Sequence, residues 1–216
     1  MNNDQNCDTE FGGRKLKLLP EKACLDILTN SLIVSDIHIG KEVSMRRQGL
    51  STPNGVSDFD MNRIDELWAS YQFTHLYILG DFIHDEDSLS QGMGEVVSKW
   101  LGKNAFTTTL ILGNHDRHLG SQAENWRMNI VKEDHLGSIR LSHVHCDDDV
   151  PTIAGHEHPF VVLKNNFDRL RLPCFYIDSG KMTVPAFGSL TGGFNIKPKF
   201  GRRIFAIGDD QVLPLG

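Results

Sequence analysis

Short apolar runs that stop at polar punctuation set the rhythm of the chain. "SLIVSD" (31–36), "THLYILGD" (74–81) and "TTLILGNHD" (108–116) each hold a few consecutive apolar residues and then break. Runs of that length are too short for helices and predict strands buried on both faces. "KLKLL" (15–19) and "CLDIL" (24–28) alternate and predict strands, with Thr29-Asn30 as a turn. "SIRLSHVH" (138–145) and "PTIAGHEHP" (151–159) are further strand-to-loop edges, and "CFYI", "MTVPAF" and "RIFAIGDD" predict short C-terminal strands. Helical spacing of Ile64, Leu67 and Trp68 predicts a helix reaching about Tyr71, capped by Asp58 or Asp60. "EVVSKWLGK" (95–103) predicts a short amphipathic helix, and a third is expected around Gln122 to Met128. Residues 41–57 read as a loop with at most a helical turn, residues 82–92 as an acidic loop, and residues 1–13 as a disordered arm. No repeat or composition shift interrupts residues 14–216, so a single α/β (α+β) domain is expected there.

The polar groups that stop these strands are unusual. Five apolar runs end in Asp36-Ile37-His38, Gly80-Asp81, Gly113-Asn114-His115-Asp116, His143 and Gly155-His156-Glu157-His158. In α/β sheets, functional sites gather at the carboxyl ends of strands. Asp36/His38 and His156/His158 are i, i+2 pairs, which an extended backbone projects from one face. The glycines at 80, 113 and 155 are expected to let the chain turn sharply. Each cluster alone is compatible with a polar turn, but five in this order point to a metal site. Nitrogen and oxygen donors without thiolate suit manganese, iron, zinc or nickel. Seven donors are too many for one ion of ordinary coordination, so two ions sharing a carboxylate are expected, an arrangement suited to phosphoryl transfer.

In order and spacing, these residues resemble the calcineurin-like metallophosphoesterase superfamily, whose pattern is D-x-H, G-D, G-N-H-[DE], H and G-H-x-H. The flanking words "SDIHIGKE", "MRRQG", "GDFIHD", "GNHDR", "GHEHP", "LPCF" and "VPAFGSLTGG" are similar to its ligase-associated DNA-damage-response endonuclease branch, over roughly residues 14–196. The resemblance implies a two-sheet αββα sandwich and two divalent ions, typically manganese, with magnesium also compatible. It implies one ion on Asp36, His38 and His158, a second on Asn114, His143 and His156, and Asp81 between them. It also implies His115 as the catalytic histidine, with Asp116 orienting it. "SHVH" offers His145 as well as His143; the strand-ending His143 is preferred as the ligand. Lys41, Arg46 and Arg117 are candidate contacts to a polyanion, although charge runs are commonly a solvated face.

A formal net charge of -6 removes a global basic field for nucleic acid, but a metal site holds phosphate through local charge. Lys197, Lys199, Arg202 and Arg203 form a second small basic cluster. Four scattered cysteines without a C-x-x-C pair suggest a reducing compartment. The polar N-terminus lacks the features of a secretory signal, no run is long enough for a membrane span, and a cytoplasmic location is expected. Metal-activated water attacking a phosphodiester of nucleic acid or a nucleotide is the expected chemistry. Alternatives are a phosphomonoesterase, a small cyclic-nucleotide phosphodiesterase, or a protein-binding scaffold of the same fold. "GNHD" in place of "GNHE" leans away from Ser/Thr protein phosphatases. Association with a DNA ligase or helicase follows from the resemblance alone.

Overall fold

The computed structural model describes residues 6–89, 92–164 and 168–215. Its first sheet runs β1(Cys7–Phe11), β2(Arg14–Leu19), β3(Ala23–Asp26), β4(Ser31–Val34), β5(His75–Leu79), β6(Thr107–Ile111) and β7(Asn129–Val131) in spatial order. β1 to β4 pair antiparallel, whereas β4 to β7 are parallel, so the last four strands end on the same edge.

The second sheet holds β8(Asp134–Leu136), β9(Ile139–Leu141), β10(Thr152–Ala154), β11(Pro159–Lys164), β12(Arg169–Asp178), β13(Lys181–Thr183), β14(Phe194–Asn195), β15(Arg203–Gly208) and β16(Gln211–Leu215). Its order is β14-β11-β12-β13-β10-β9-β8, with β15 joining β12 and β16 completing a hairpin. β9 and β10 run parallel, so His143 and Gly155 follow strands that end together.

The period of two sorts the side chains into layers. Ile33, Leu79 and Ile111 face inward and meet Ile139, Leu141, Ile153, Phe175 and Met182 of the second sheet. Leu32, Val34, Ile78 and Leu110 face outward and pack against α2(Val56–Tyr71) and α3(Met93–Lys103). In α2, Met61, Ile64 and Leu67 form the buried stripe; in α3, Val97, Trp100 and Leu101 do so. Trp100 Nε1 and Lys103 Nζ both bond the Asp65 carboxylate, at 2.9 Å each, and tie the two helices together. A smaller cluster, including Val161, Cys174 and Ile204, lies apart in the second sheet. This is the expected two-sheet sandwich.

Several local expectations are corrected. Residues 7–11 are not part of a disordered arm: they form β1, with Thr9 and Phe11 buried and the strand paired along β2. Met1 to Gln5 of that arm lie outside the described residues. Part of the expected 41–57 loop is α1(Lys41–Arg47), whose buried Glu42 accepts hydrogen bonds from the backbone and hydroxyl of Ser57. Neither Asp58 nor Asp60 caps α2. The helix starts one turn earlier behind Gly55, and Asp60 is buried inside it. The region around Gln122 forms a short 3-10 helix, Gly120–Asn125. Among the described residues, no helix is long and apolar enough to cross a membrane.

Candidate metal centre

The carboxyl ends of β4, β5 and β6 in one sheet and β9 and β10 in the other converge on one site. Asp36, His38 and His158 place ligand-type atoms within 4.8 Å of one another, and so do Asp81, His143 and His156. Asp81 stands between the sets. Its Oδ2 is 3.9 Å from His38 Nε2 and its Oδ1 is 3.5 Å from His143 Nε2, one oxygen toward each. Asn114 Oδ1 lies 2.9 Å from His143 Nε2. The seven candidate residues are therefore brought together at one site, and His38, His84 and His115 form a third such group beside them.

The donor arrangement fits bound cations. The carbonyl of Leu79 lies 2.9 Å from His143 Nδ1 and can only accept, so that nitrogen carries the proton. In the neutral ring, Nε2 then presents a lone pair. It faces Asn114 Oδ1, Asp81 Oδ1 and, at 3.1 Å, His156 Nδ1. Such a cluster of electron-rich atoms is satisfied by a cation at its centre. Asp36 Oδ1 and His38 Nε2 are buried without a hydrogen-bond partner. His158 Nε2 is 3.2 Å from that same Asp36 oxygen, the closeness expected of two donors to one ion.

The protonation states suit ligation, which needs neutral imidazole and ionised carboxylate. Burial pulls His38 down to about 2. Burial pushes the Asp36 carboxyl up, but the facing His158, Ser35 and His143 outweigh it and hold it low.

The backbone reaches this convergence differently from the extended edges expected. Asp36, His38, Asp81, His156 and His158 all have φ between 48° and 69°. An i, i+2 pair converges here because both members are left-handed, a conformation that costs roughly 1–2 kcal/mol for an L-residue. His115 is not extended either (φ -78°, ψ -26°), so alternation along an edge does not decide where it points. Of the three glycines expected as turns, only Gly80 has a positive φ. Gly113 and Gly155 serve close approach instead. A Cβ on Gly113 would lie 2.2 Å from Asp81 Oδ1, and one on Gly155 would lie 2.5 Å from Asp36 Oδ2.

His115 borders the centre. Its ring centroid is 5.0 Å from that of His38, its amide donates to Asp81 Oδ1 at 2.9 Å, and its Nδ1 bonds the His84 carbonyl. Asp116 does not orient that ring, contrary to expectation. Its carboxylate accepts from the amides of Ile83 and Gly113, at 3.1 and 2.9 Å, and pins together the loops after β5 and β6. Burial raises its pKa to about 6.

The residue that sequence reasoning missed is His84. Its ring stacks on His115 at 5.2 Å, and its Nδ1 is 3.3 Å from His38 Nδ1, leaving His38 Nε2 for the centre. The signal was a histidine three residues after Asp81, inside the word "GDFIHD", in a loop otherwise read as acidic.

The candidate substrate contacts separate. Lys41 is half-buried at the start of α1, and its pKa is lowered by burial against the opposing pull of Asp36 and Asp81. Arg46 bonds the Pro53 carbonyl and Thr52 of its own loop. Arg117 is exposed. Among the described residues, His145 lies outside all three candidate donor groups and approaches Thr183 Oγ1 at 2.8 Å. The basic cluster near residue 200 is largely spent on internal contacts. Lys199 and Arg202 pair with Asp178, and Arg203 bonds Thr9 and the Glu10 carbonyl.

A family model for the calcineurin-like phosphoesterases matches residues 30–193. The chain belongs to that family. Calcineurin-like phosphoesterases depend on two metals and hydrolyse phosphoesters, in keeping with the paired donor sets. Among solved structures, the Pseudomonas putida nuclease MPE is 32% identical over 97% of this chain and 100% of its own, with a TM-score of 0.82. The phosphoesterase Yfce from E. coli is 16% identical over 86% of this chain and 97% of its own (TM-score 0.43). A protein of unknown function from Aquifex aeolicus, AQ665, is 20% identical over 59% of this chain and 78% of its own (TM-score 0.42). A search of curated proteins finds no significant match.

Proposed function

We propose that this phosphoesterase is a two-metal phosphodiesterase that cuts nucleic acid. The observation that carries the reading is the Asp81 carboxylate, one oxygen toward each donor group, with His115 hydrogen-bonded beside it. Asp36, His38 and His158 would hold one ion and Asn114, His143 and His156 the other, with Asp81 between. A bound pair of divalent ions supplies an activated water nucleophile and neutralises phosphate charge.

The chain's own groups do the rest. The His84 carbonyl accepts a hydrogen bond from His115 Nδ1, so Nε2 is the nitrogen left for proton transfer. Protonated, His115 gives that proton to the departing ester oxygen. Lys41, close to Asp36 and Asp81, contributes positive charge beside the reacting phosphate.

Likeness over its full length to a bacterial nuclease supports nucleic acid as the substrate. Manganese, a cytoplasmic location, a role in DNA repair and association with a ligase or helicase belong to the same proposal. Manganese rests on the nitrogen and oxygen donors and the superfamily resemblance, the location on the scattered cysteines, and the repair role and its partners on the flanking words of the endonuclease branch.

The test is metal content and turnover of protein purified in excess manganese. Two equivalents of metal are expected, with cleavage of bis-p-nitrophenyl phosphate and oligonucleotides exceeding that of p-nitrophenyl phosphate. Equal or better monoester kcat/KM would replace the reading with a phosphomonoesterase. Metal content near zero would leave a scaffold.

A further inference from the structure

A cavity of about 180 Å³ opens beside the centre, and His158 forms part of its wall. Two cations, Lys22 and Arg171, line it together with the hydroxyl residues Ser189 and Thr191 and the ring of Phe160, and its lining includes no carboxylate. In a chain with a net charge of -6, a wall that carries two cations and no carboxylate stands apart.

Neither cation forms an ion pair among the described residues. Lys22 sits in the turn between β2 and β3 with φ 66°. It is half-buried, and among the described residues its ammonium has no ion pair or hydrogen bond. Burial, and then the charge of Arg63, lower its pKa against the smaller opposing pull of Asp60. Holding a cation partly out of water without a partner is costly, and an incoming anion relieves that cost. Arg171 stands 3.7 Å over the Phe160 ring, which fixes the guanidinium while leaving its N–H donors for a ligand.

The cavity is also rigidly joined to the metal centre. Buried Asp60 accepts from Ser189 N and Oγ, at 2.9 and 2.6 Å, and from Arg63 Nη1 at 3.1 Å. Arg63 in turn donates to the carbonyls of Phe187 and Glu21, at 2.8 and 2.7 Å. One carboxylate–guanidinium pair thus locks the 187–189 segment to the turn that carries Lys22. That segment rests on the first metal loop: the amides of Phe187 and Gly188 bond the carbonyls of Ser35 and Asp36. A Cβ on Gly188 would lie 2.2 Å from the Ile37 carbonyl oxygen.

Resting on the nuclease reading above, we propose that this cavity binds the phosphate next to the scissile one in a nucleic-acid strand, through Lys22 and Arg171. The enzyme then selects a strand over an isolated phosphodiester, because only a strand fills both positions.

The test compares manganese-loaded wild type, Lys22→Gln and Arg171→Gln on two substrates. TpT carries one phosphodiester and TpTpT carries two. The wild type should favour TpTpT in kcat/KM by about twentyfold or more, of which two scissile bonds provide only about twofold. Each substitution should lower the TpTpT/TpT ratio about tenfold, through KM, as expected for one charge-assisted hydrogen bond. The slope of log kcat/KM against log salt on TpTpT should become shallower by about 0.7 for each phosphate contact removed. A general structural fault would not alter that slope.

An unchanged ratio in both variants, or equal losses on both substrates, would overturn the subsite. If Lys22→Gln also loses metal, the exposed Arg171→Gln decides. Wild-type enzyme that cleaves bis-p-nitrophenyl phosphate but neither oligonucleotide would overturn the nuclease reading and the subsite with it. Cleavage of both oligonucleotides with an unaltered ratio in the variants would overturn the subsite alone.

Discussion

Replacing Gly113 by alanine is the smallest change expected to disable the centre. The added Cβ would lie 2.2 Å from Asp81 Oδ1 and 2.3 Å from Asp81 N, about 1.2 Å short of ordinary contact at 3.4 Å. Two features keep the neighbours from giving way. Asp81 N belongs to the backbone following β5, and Gly113 N is tied to buried Asp116 at 2.9 Å. The carboxylate set between the two donor groups must therefore move by roughly 1 Å, whereas metal–ligand distances tolerate about 0.2 Å. Misplacement on that scale costs on the order of 10²-fold in rate. Overpacking adds about 1–3 kcal/mol of destabilisation. The expected result is a chain that still folds, binds clearly fewer than two metal equivalents, and loses at least 10²-fold in kcat on bis-p-nitrophenyl phosphate. Gly102→Ala is the control: it lies in α3 with nothing within 4 Å of its added Cβ. Elemental analysis, kcat and a thermal melt on both variants make the comparison. Gly113→Ala retaining two metals and activity within threefold of wild type would refute the close-approach argument.

Asp81→Asn should impair metal content and kcat more than Asn114→Ala, because Asp81 faces both donor groups with charge and Asn114 faces one without it; a fully loaded, active Asp81→Asn would refute the bridging role. His115→Gln should keep both metals and lose far more on a dinucleotide than on a p-nitrophenyl diester, since general acids contribute about 10²–10⁴-fold where the leaving group needs a proton; equal losses would argue against proton donation. Burial holds His145 at about 4, below the ordinary value near 6.5. The unfolded chain therefore takes up a proton there that the folded one does not, so this contribution is intact above about pH 6.5 and is lost as pH falls toward 4. In metal-free protein, the fall in Tm between those limits should be smaller for His145→Gln than for wild type; parallel curves would rule out the assignment.

How far the site could be read from the sequence depended on the range of the contacts that build it. The convergence of the seven candidate ligands was legible because each sits just beyond a short apolar run, and parallel pairing aligns the ends of those runs. The ligands' left-handed backbone was not legible, since nothing local distinguishes a left-handed histidine from an extended one. His84 was hidden for another reason: its contacts, to His38 and His115, cross 46 and 31 residues of chain. The cavity beside His158 was less visible still, because the bond between Asp60 and Ser189 spans 129 positions. β1 has a five-residue alternation too weak to stand out, and it is held by β2 and by Arg203 reaching Thr9 from 194 positions away.

Each donor group draws on both sheets: Asp36 and His38 follow β4 while His158 follows β10, and Asp81 and Asn114 follow β5 and β6 while His143 and His156 follow β9 and β10. Bound ions would therefore act as rivets across one end of the sandwich as well as reagents. Where the rest of the seam is closed by Ile33, Leu79, Ile153 and their neighbours, this end is closed by carboxylates and imidazoles. Removing such ions would leave those groups confronting one another and would loosen the joint at that end. Limited proteolysis under chelation should then cut first in the loops after Val34 and Leu79, and metal should suppress it. A chain built this way would couple its own durability to cargo: copies carrying the full complement of metal should outlast empty ones, weighting the surviving population toward molecules able to work.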